Sequence, residues 1–341
     1  MFFVQSVVGG ILLILCAMNT VRAEETDQFT LPPQALADTG PAGSEALFRV
    51  IERAAAHTNQ QMAHLEQAEP HSRTAAKALL QYQRGAHFAD AVYRATGPGF
   101  PRWMRWNRLP VTALPKFYSE SCPWNNVYWL AFSQSPLSLM GLAPTVNMYG
   151  HYFGTDKLGH FFMMGHTYYT LYRHARSRGK SAAQAHALLV RYGEFLEKTY
   201  LGMLVNGVYS NGDLSANYAG WKFYSNLTRP VKIGHETLSP ILVLRNNRWE
   251  FSERVTPSNL LKPYLNDNLN EAFNPCYYLF SRGQIRREIK KRCANWKERR
   301  GLTREMVQAK HEETRLWNGE NYGHWLPSGS AVTLQACFEN R

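Results

Sequence analysis

Two polar motifs in the middle of the chain constrain its fold more than any other feature. Residues 154–162 read GTDKLGHFF, and residues 209–221 read YSNGDLSANYAGW. Each motif places ionisable or amide side chains four positions apart in an apolar, aromatic segment, as with Asp156 and His160. Residues i and i+4 lie one above the other on a helix. The motifs therefore predict two helices whose polar faces can meet inside one core.

Helix start and stop signals around the motifs predict a three-helix core. Thr155 is placed to cap a first helix that ends before Gly179, and Ser181 with Gln184 forms a capping box for the next. A turn at residues 211–212 precedes the third helix. Short turns between helices favour an antiparallel arrangement. The expected fold class is mainly α, with a helical bundle core.

The flanking segments predict further helices and one small hairpin. Ser44 is placed to cap an amphipathic helix. The segments 72–95, 284–299 and 303–317 also have helical patterns. Residues 242–251 predict a β-hairpin that turns at an Asn-Asn pair. Regular structure is expected to lapse in the Pro- and Trp-rich stretch 97–123. The expected parts are a signal segment at 1–23, a flexible leader at 24–43, a helical core at 44–235 and a disulfide-stabilised extension at 236–341.

The N-terminal residues have the features of a secretory signal. An apolar run at residues 7–17 is followed by small residues before Glu24. The run is shorter than the roughly 20 residues that a membrane span needs, although an uncleaved N-terminal anchor stays an alternative. The expected location is periplasmic or secreted.

Export to an oxidising compartment gives the cysteines a structural role. Removal of the signal leaves Cys122, Cys276, Cys293 and Cys337, and an even number in an exported chain predicts two disulfides. Of the three pairings, Cys276–Cys293 with Cys122–Cys337 is favoured. No spacing between them is CxxC, so a thiolate metal site is not expected.

The charge of the chain favours anionic partners. Loss of Arg22 with the signal lowers the formal net charge from +12 to +11, which suits an anionic envelope glycan or lipid. Nucleic acid is not expected, because export separates the chain from it and no binding motif is present. Between Arg102 and Arg108 arginines alternate with tryptophans. This segment suits peripheral membrane contact or stacking on sugars, or its indoles pack inward.

The first motif carries a candidate acid–base pair. A carboxylate such as Asp156 beside His160 raises the imidazole pKa and fixes its tautomer, which is useful in general acid–base catalysis. The same pair offers one oxygen and one nitrogen to a divalent metal, but two ligands are too few, and no cofactor is clearly encoded. A structural alternative remains, because an acid is favoured in the first turn of any helix.

Other polar residues are expected to complete this site. Asp213 and Glu194 are further catalytic candidates, and the substrate-binding candidates are Lys157, Asn217, Glu197 and Ser210. Lys157 is placed to hold a substrate carboxylate or phosphate, or to pair with Asp213. Glu194 and Glu197 share one face of the middle helix, where paired carboxylates suit glycoside hydrolysis or metal binding, or form a solvated ion-pair face. Further metal-ligand candidates are His151 and His166, although His166 lies on roughly the opposite helix face from His160.

The motifs resemble those of a known group of envelope proteins. Asp-Lys-x-x-His-Phe followed by Ser-x-Gly-Asp-x-x-Ala-Asn-x-x-Gly resembles the paired motifs of VanZ-like proteins and of the related small YfiM-like proteins. The matching positions are Asp156, Lys157, His160, Phe161, Ser210, Gly212, Asp213, Ala216, Asn217 and Gly220. The resemblance covers about residues 150–225 and implies a helical bundle with the motif residues at one end. VanZ-like proteins are membrane-embedded, whereas this chain has polar helices and long extensions, so it implies a shared core rather than a shared activity.

These features lead to two functional hypotheses. The first is an envelope hydrolase that uses an Asp/His/Asp constellation on a glycosidic, ester or phosphoester bond of an anionic glycan or lipid. The second is a non-catalytic protein that binds an anionic membrane surface or cell-wall polymer. Burial of Glu194 and Glu197 beside Asp213 favours the enzyme, and their exposure favours the binding protein. The motifs of serine hydrolases, zincins, P-loop and dinucleotide-binding proteins are not present.

Overall fold

The chain folds into a mainly α structure with a few small antiparallel strands. The computed structural model describes residues 24–67, 72–96, 126–128, 141–199, 201–204, 207–279, 281–326 and 331–339. The predictions made for the signal segment, for Cys122 and for the Arg/Trp segment 102–108 lie outside these residues. Within them, no helix is both long and apolar enough to cross a bilayer.

The helices in the centre of the chain lie where the sequence signals place them, with two corrections: residues 211–212, predicted as a turn, are the first residues of a helix, and Thr155 makes no side-chain cap. Their bounds are α1 Gly40–Gln67, α2 Arg73–Gln83, α3 His87–Thr96, α4 Asp156–Gly159, α5 Gly165–Ser177, α6 Ala182–Lys198, α7 Asn211–Asn226, α8 Arg282–Arg300 and α9 Arg304–Thr314. A π-helical turn, His160–Met164, joins α4 to α5. The capping box of Ser181 and Gln184 is present. The helix predicted at 72–95 is divided, because Gly85 has a φ of +65°.

The strands are short and lie between the helices. Their bounds are β1 Glu24–Glu25, β2 Gly141–Leu142, β3 Thr145–Met148, β4 His151–Gly154, β5 Val208–Ser210, β6 Val231–Ile233, β7 Glu236–Leu238, β8 Leu242–Arg245, β9 Arg248–Phe251, β10 Cys276–Tyr278 and β11 Ala331–Val332. The hairpin β8–β9 confirms the prediction, with positive φ at both Asn246 and Asn247. β5, β10 and β11 form one antiparallel sheet, which the sequence did not indicate.

Helix α7 is the centre of the core. Every residue from Asn211 to Tyr224 is buried, so neighbouring elements cover this helix on all sides. A Cβ built on Gly220 would lie 2.0 Å from the backbone oxygen of Phe161, and one on Gly165 would lie 2.6 Å from Gly220 Cα. These two glycines therefore allow the π-helical turn and α5 to pack directly on the α7 backbone.

The segment predicted as a flexible leader is instead packed into the structure. Thr26, Asp27 and Phe29 are buried. The Asp27 carboxylate accepts hydrogen bonds from the backbone N–H groups of Phe29 and Val127, and the Trp296 indole donates to the Phe29 carbonyl. The Pro- and Gly-rich composition suggested a loose chain. The buried acid and aromatic ring attach its first part to α8.

The predicted disulfide pairing is wrong. Cys293 bonds to Cys337, with their Cα atoms 5.5 Å apart, which excludes both Cys276–Cys293 and Cys122–Cys337. Cys276 lies buried in β10, where its backbone pairs with β5 and β11. Cys293 faces a short 3-10 helix, Leu334–Phe338, that packs along α8. The disulfide therefore ties the end of the described chain to α8, in the region expected to be disulfide-stabilised.

Candidate functional site

The two motifs meet at the N-terminal ends of α4 and α7. Asp156 is the first residue of α4, and Asp213 lies in the first turn of α7. The Ser210 hydroxyl caps α7 by accepting a hydrogen bond from the Asp213 backbone N–H at 3.0 Å. Acids are stabilised at helix N-termini by the unpaired N–H groups and the helix dipole. The prediction that the motifs face each other in one core is therefore confirmed by their positions.

A buried ammonium group links the motifs. Lys157 Nζ lies 2.6 Å from Asp156 Oδ2, 2.6 Å from Asp213 Oδ1 and 2.5 Å from Glu271 Oε1. The Lys157 and Glu271 side chains have no solvent exposure. We call these four residues the lysine cluster. Two hydroxyls extend it, because Thr26 donates to Asp156 Oδ1 at 2.8 Å and Ser210 donates to Glu271 Oε1 at 2.6 Å.

The lysine cluster changes the roles expected of two residues. Of the two roles predicted for Lys157, the pairing with Asp213 is confirmed. Substrate binding is not supported, because three carboxylates enclose the ammonium and it cannot reach a ligand from solvent. Ser210 was also predicted to bind substrate, but its hydroxyl is buried and serves as a helix cap and a donor to Glu271. Both residues stabilise the cluster from inside.

His160 forms the exposed edge of a second group of residues. Its Nδ1 lies 3.1 Å from Asn217 Oδ1, and its Nε2 lies 3.4 Å from Asp213 Oδ2. The His160 side chain is 18% exposed, against 5% for Asp213. Burial alone would raise the pKa of Asp213, but the nearby His160 and Lys157 outweigh it and hold that pKa below its ordinary value. Asp213 therefore stays ionised between two nitrogen-bearing side chains.

Glu197 completes the second group from the C-terminal end of α6. It is 1% exposed. Its Oε2 lies 3.4 Å from the Ser210 backbone N–H, and among the described residues its Oε1 has no hydrogen-bond partner. Burial, followed by the charge of Asp213, raises its pKa well above the ordinary value. One ligand atom each from His160, Glu197 and Asp213 lies within 4.8 Å of the others. We call these three residues the histidine triad.

The position of His160 depends on an unusual helix. It is the first residue of the π-helical turn that separates α4 from α5, and π turns are common at functional sites. Asp156 and His160 were expected to converge on one ligand or touch. They instead belong to the lysine cluster and the histidine triad, respectively, and Asp213 is common to both.

Glu194 does not join either group. It is half-buried and packs beside Gly323, since a Cβ on that glycine would lie 3.3 Å from Glu194 Cγ. Of the two acids on the middle helix, only Glu197 is buried and convergent with Asp213. Burial of both acids beside Asp213 was the arrangement expected of an enzyme, and only Glu197 has it. The catalytic role predicted for Glu194 has no support in its position.

Sequence reasoning missed three residues near the site. Glu271 is a member of the lysine cluster and Thr26 donates to it, and neither residue belongs to a recognisable motif. Tyr168 is buried, and burial raises its pKa, with the charge of Glu197 adding to the effect. Gly193 makes room for its hydroxyl, because a Cβ there would lie 1.7 Å from Tyr168 Oη. The i,i+4 spacing of Gly193 and Glu197 on α6 is the sequence signal that could have indicated a buried group beside Glu197.

The remaining candidate metal ligands have other partners. His151 Nδ1 lies 2.6 Å from Asp267 Oδ1. His166 Nε2 lies 3.0 Å from Asp90 Oδ1. The prediction that His166 points away from His160 is confirmed by this contact.

No protein-family profile, curated protein or solved structure matches this chain. The resemblance of residues 150–225 to VanZ-like and YfiM-like proteins therefore stays a prediction, carried by the motif residues alone.

Proposed function

We propose that the protein is an exported hydrolase of the cell envelope and that the histidine triad is its catalytic centre. The observation that carries the proposal is the convergence of a partly exposed imidazole on two buried carboxylates, Asp213 and Glu197. Titratable groups whose environments differ this strongly are typical of catalytic centres. His160 alone of the three has appreciable contact with solvent, so substrate and water meet the centre there.

The geometry supports general acid–base chemistry at His160. Asn217 presents an oxygen to Nδ1, which keeps the hydrogen of the neutral imidazole on Nδ1. Nε2 then takes a proton from water, the water oxygen bonds to the electrophilic phosphorus or carbon, and the imidazolium returns the proton to the leaving oxygen. Asp213 stabilises the imidazolium during this step.

The substrate class follows from charge. A net charge of +11 after signal removal, with exposed basic residues along α8, attracts anionic molecules. We therefore propose an anionic envelope glycan or lipid, cleaved at a glycosidic, ester or phosphoester bond. The proposal includes a periplasmic or secreted location, and an antiparallel helical bundle of α5, α6 and α7 related to the VanZ-like and YfiM-like cores.

The experiment is a substrate panel with matched variants. The purified chain is incubated with peptidoglycan fragments, vesicles of anionic phospholipid and chromogenic phosphodiesters. General acid–base groups contribute roughly 10²–10⁴-fold to rate, so His160→Ala should lower the rate by about 100-fold or more. His166→Ala serves as control, because that imidazole pairs with Asp90 outside the centre. A wild-type chain that cleaves none of these substrates, or a fully active His160→Ala variant, would refute the proposal.

A specific observation also favours the second hypothesis, a binding protein. Arg287, Lys291 and Lys297 of helix α8 are exposed to solvent. Such a basic surface binds anionic vesicles or peptidoglycan with an affinity that falls as salt rises. Sedimentation at low and high ionic strength tests it, and a triple Arg287→Ala, Lys291→Ala, Lys297→Ala variant should sediment less. Equal sedimentation of the variant would exclude this surface.

A further inference from the structure

The two groups that share Asp213 differ in one respect: only the lysine cluster contains a cation. In that cluster, the ammonium of Lys157 sits among three carboxylates at 2.5–2.6 Å. In the histidine triad, two carboxylates and an imidazole nitrogen surround a point at which the described residues place no cation. Asp213 thus contacts the Lys157 ammonium through Oδ1, and its Oδ2 faces this point.

The spacing of the triad matches a metal site better than a hydrogen-bonded pair. Charge-assisted N–H···O bonds are about 2.7–2.9 Å long, whereas His160 Nε2 and Asp213 Oδ2 are 3.4 Å apart. A nitrogen and an oxygen that bind one tetrahedral ion at about 2.0–2.2 Å lie about 3.3–3.5 Å from each other. The two atoms therefore have the separation of neighbouring ligands on one ion.

Glu197 supplies an independent indication of a missing ligand. Its side chain is 1% exposed, and its Oε1 has no hydrogen-bond partner among the described residues. An ionised oxygen that is buried without a partner loses several kcal/mol of hydration. Because one carboxylate oxygen of Glu197 converges with the ligand atoms of His160 and Asp213, a cation bound there would give this carboxylate a partner.

The tautomer of His160 prepares its nitrogen for the same role. With the Asn217 oxygen as acceptor for Nδ1–H, the lone pair of the neutral ring is on Nε2, the atom that faces Asp213. Metal-binding histidines characteristically donate their other ring N–H to an oxygen acceptor in this way. Asn217 is thus a positioning residue for a nitrogen ligand.

The acids of the two groups outnumber the lysine, which leaves negative charge that a cation at the triad could compensate. Asp156, Asp213, Glu197 and Glu271 with Lys157 carry a formal charge of −3 when all are ionised and His160 is neutral. A net negative charge of this size in a buried volume is unfavourable without compensation. A divalent cation at the triad lowers it to −1.

We propose that the histidine triad binds one divalent first-row transition metal through His160 Nε2, Glu197 and Asp213 Oδ2, with the remaining coordination position open at the exposed edge of His160. One imidazole and two carboxylates suit Zn²⁺, Mn²⁺ or Fe²⁺ better than Mg²⁺ or Ca²⁺, which prefer oxygen ligands alone. The proposal rests on the proposed hydrolase and revises one of its steps: with Nε2 bound to the metal, the ion rather than the imidazole would activate the hydrolytic water.

The test is direct metal binding by the purified full chain. The protein is stripped with a chelator and dialysed against Zn²⁺ or Mn²⁺, and the retained metal is counted by mass spectrometry. The expected result is one ion per chain and a melting temperature that rises with free metal, since a ligand that binds only the folded state stabilises it. Mg²⁺ and Ca²⁺ at the same concentration should give a smaller rise.

Matched variants locate the site. Loss of a residue that only hydrogen-bonds to a metal ligand costs roughly 10–100-fold in affinity. Loss of a ligand itself should cost at least as much, so His160→Ala and Glu197→Gln should weaken metal binding by about 100-fold or more. Both variants keep the three carboxylates that contact the Lys157 ammonium. Glu194→Gln, one turn away on α6, and His166→Ala serve as controls and should bind like the wild type. His160 is the most exposed ligand, so its variant keeps the test valid if Glu197→Gln does not fold.

The outcomes separate this proposal from the proposed hydrolase. Stoichiometry near zero, or equal retention by His160→Ala and the wild type, overturns the metal site. Full hydrolysis by chelator-treated protein overturns the metal site and leaves the hydrolase. Metal bound through the triad without hydrolysis of any substrate in the panel supports the metal site and counts against the hydrolase.

Discussion

The lysine cluster and the histidine triad use the same kinds of side chain and share Asp213, yet they differ in enclosure and in charge compensation. The lysine cluster is closed: Lys157 and Glu271 have no exposure, and three acids surround one ammonium. The triad has one edge open at His160. Each group contains an acid with one oxygen that lacks a hydrogen-bond partner among the described residues, Glu197 in the triad and Glu271 in the lysine cluster, but only the lysine cluster has an ammonium beside it. From this difference we infer a structural role for the first group and a ligand site in the second.

The two groups also differ in the parts of the chain they join. The lysine cluster gathers Thr26, the starts of α4 and α7, and Glu271. The triad joins the π-helical turn, the end of α6 and α7. Asp213 connects both, so changes on either side of it should have opposite consequences. The following predictions use that contrast, beginning with the largest expected effect.

Removal of the resident cation should be the most damaging change. Lys157→Met leaves three buried carboxylates without their ammonium. Breaking a buried ion pair in this way costs about 3–5 kcal/mol of unfolding free energy. Chemical denaturation of the purified variant measures the loss.

Lys222→Met is the matched control, because this lysine is also buried but pairs with a single, partly exposed acid, Glu320. Its loss should be clearly smaller. Equal losses in the two variants would mean that the lysine cluster has no special structural role.

A change at the helix crossing should damage both groups together. Gly220→Ala places a methyl group 2.0 Å from the Phe161 backbone oxygen, so the π-helical turn has to move away from α7. Overpacking of this kind costs about 3 kcal/mol, and the movement displaces His160. Unfolding free energy and metal retention are both measured.

Gly283→Ala is the corresponding control, because a Cβ there meets no atom within 4 Å and alanine favours a helix. It should be neutral or slightly stabilising. If Gly220→Ala behaves like this control, the close approach of the two backbones does not position the triad.

Neutralising the unpartnered acid should have the opposite sign to the lysine change. Burial holds the pKa of Glu197 well above its ordinary value, which lowers the unfolding free energy of the wild type at neutral pH in chelated buffer. Glu197→Gln removes this cost, and we expect a gain of about 1–2 kcal/mol in unfolding free energy. Added Zn²⁺ should reverse the order of stability, because only the wild type binds it tightly. Glu194→Gln should change stability by less than about 0.5 kcal/mol. A destabilised Glu197→Gln variant in chelated buffer would break the contrast between the two groups.

A third ion cluster, formed by Asp267, His151 and Lys310, is partly exposed and indicates how much a surface ion pair contributes to the unfolding free energy. Burial opposes ionisation of Asp267, but hydrogen bonds from His151 and Lys310 outweigh it and lower its pKa to about 2. A lowered folded-state pKa gives stability above the ordinary pKa near 4 that is lost as pH falls towards 2. After solvent screening we expect about 1 kcal/mol.

Asp267→Asn should remove this part of the pH dependence. Its unfolding free energy should lie below that of the wild type at pH 5 and converge with it near pH 2. A difference that is constant over this range would show that the carboxylate charge does not contribute.

The sequence predicted those parts of the fold that local chemistry controls. The capping box at Ser181, the stop at Gly179 and the hairpin turn at Asn246 depend on short-range hydrogen bonds and positive φ, and each is present. The motif spacing also predicted that Asp156 and Asp213 lie in one core. For the caps and the turn, local patterns were sufficient because each of them involves residues within one turn of one another.

Long-range partners could not be predicted in the same way. Glu271 reaches Lys157 across 114 residues, and Thr26 reaches Asp156 across 130. The disulfide pairing failed for the same reason, because Cys337 is brought to Cys293 by the packing of a terminal segment on α8. The π-helical turn at His160 was also missed, since the i,i+4 pattern assumed an unbroken α-helix and placed Asp156 and His160 in one group.

The most direct test of the contrast between the two groups is the anomalous scattering of crystals grown with Zn²⁺ or Mn²⁺. The account predicts one strong peak at about 2.0–2.3 Å from His160 Nε2, Asp213 Oδ2 and a Glu197 oxygen, with Lys157 still among its three carboxylates. A crystal without a peak at the triad, in which His160 donates directly to Asp213, would contradict it.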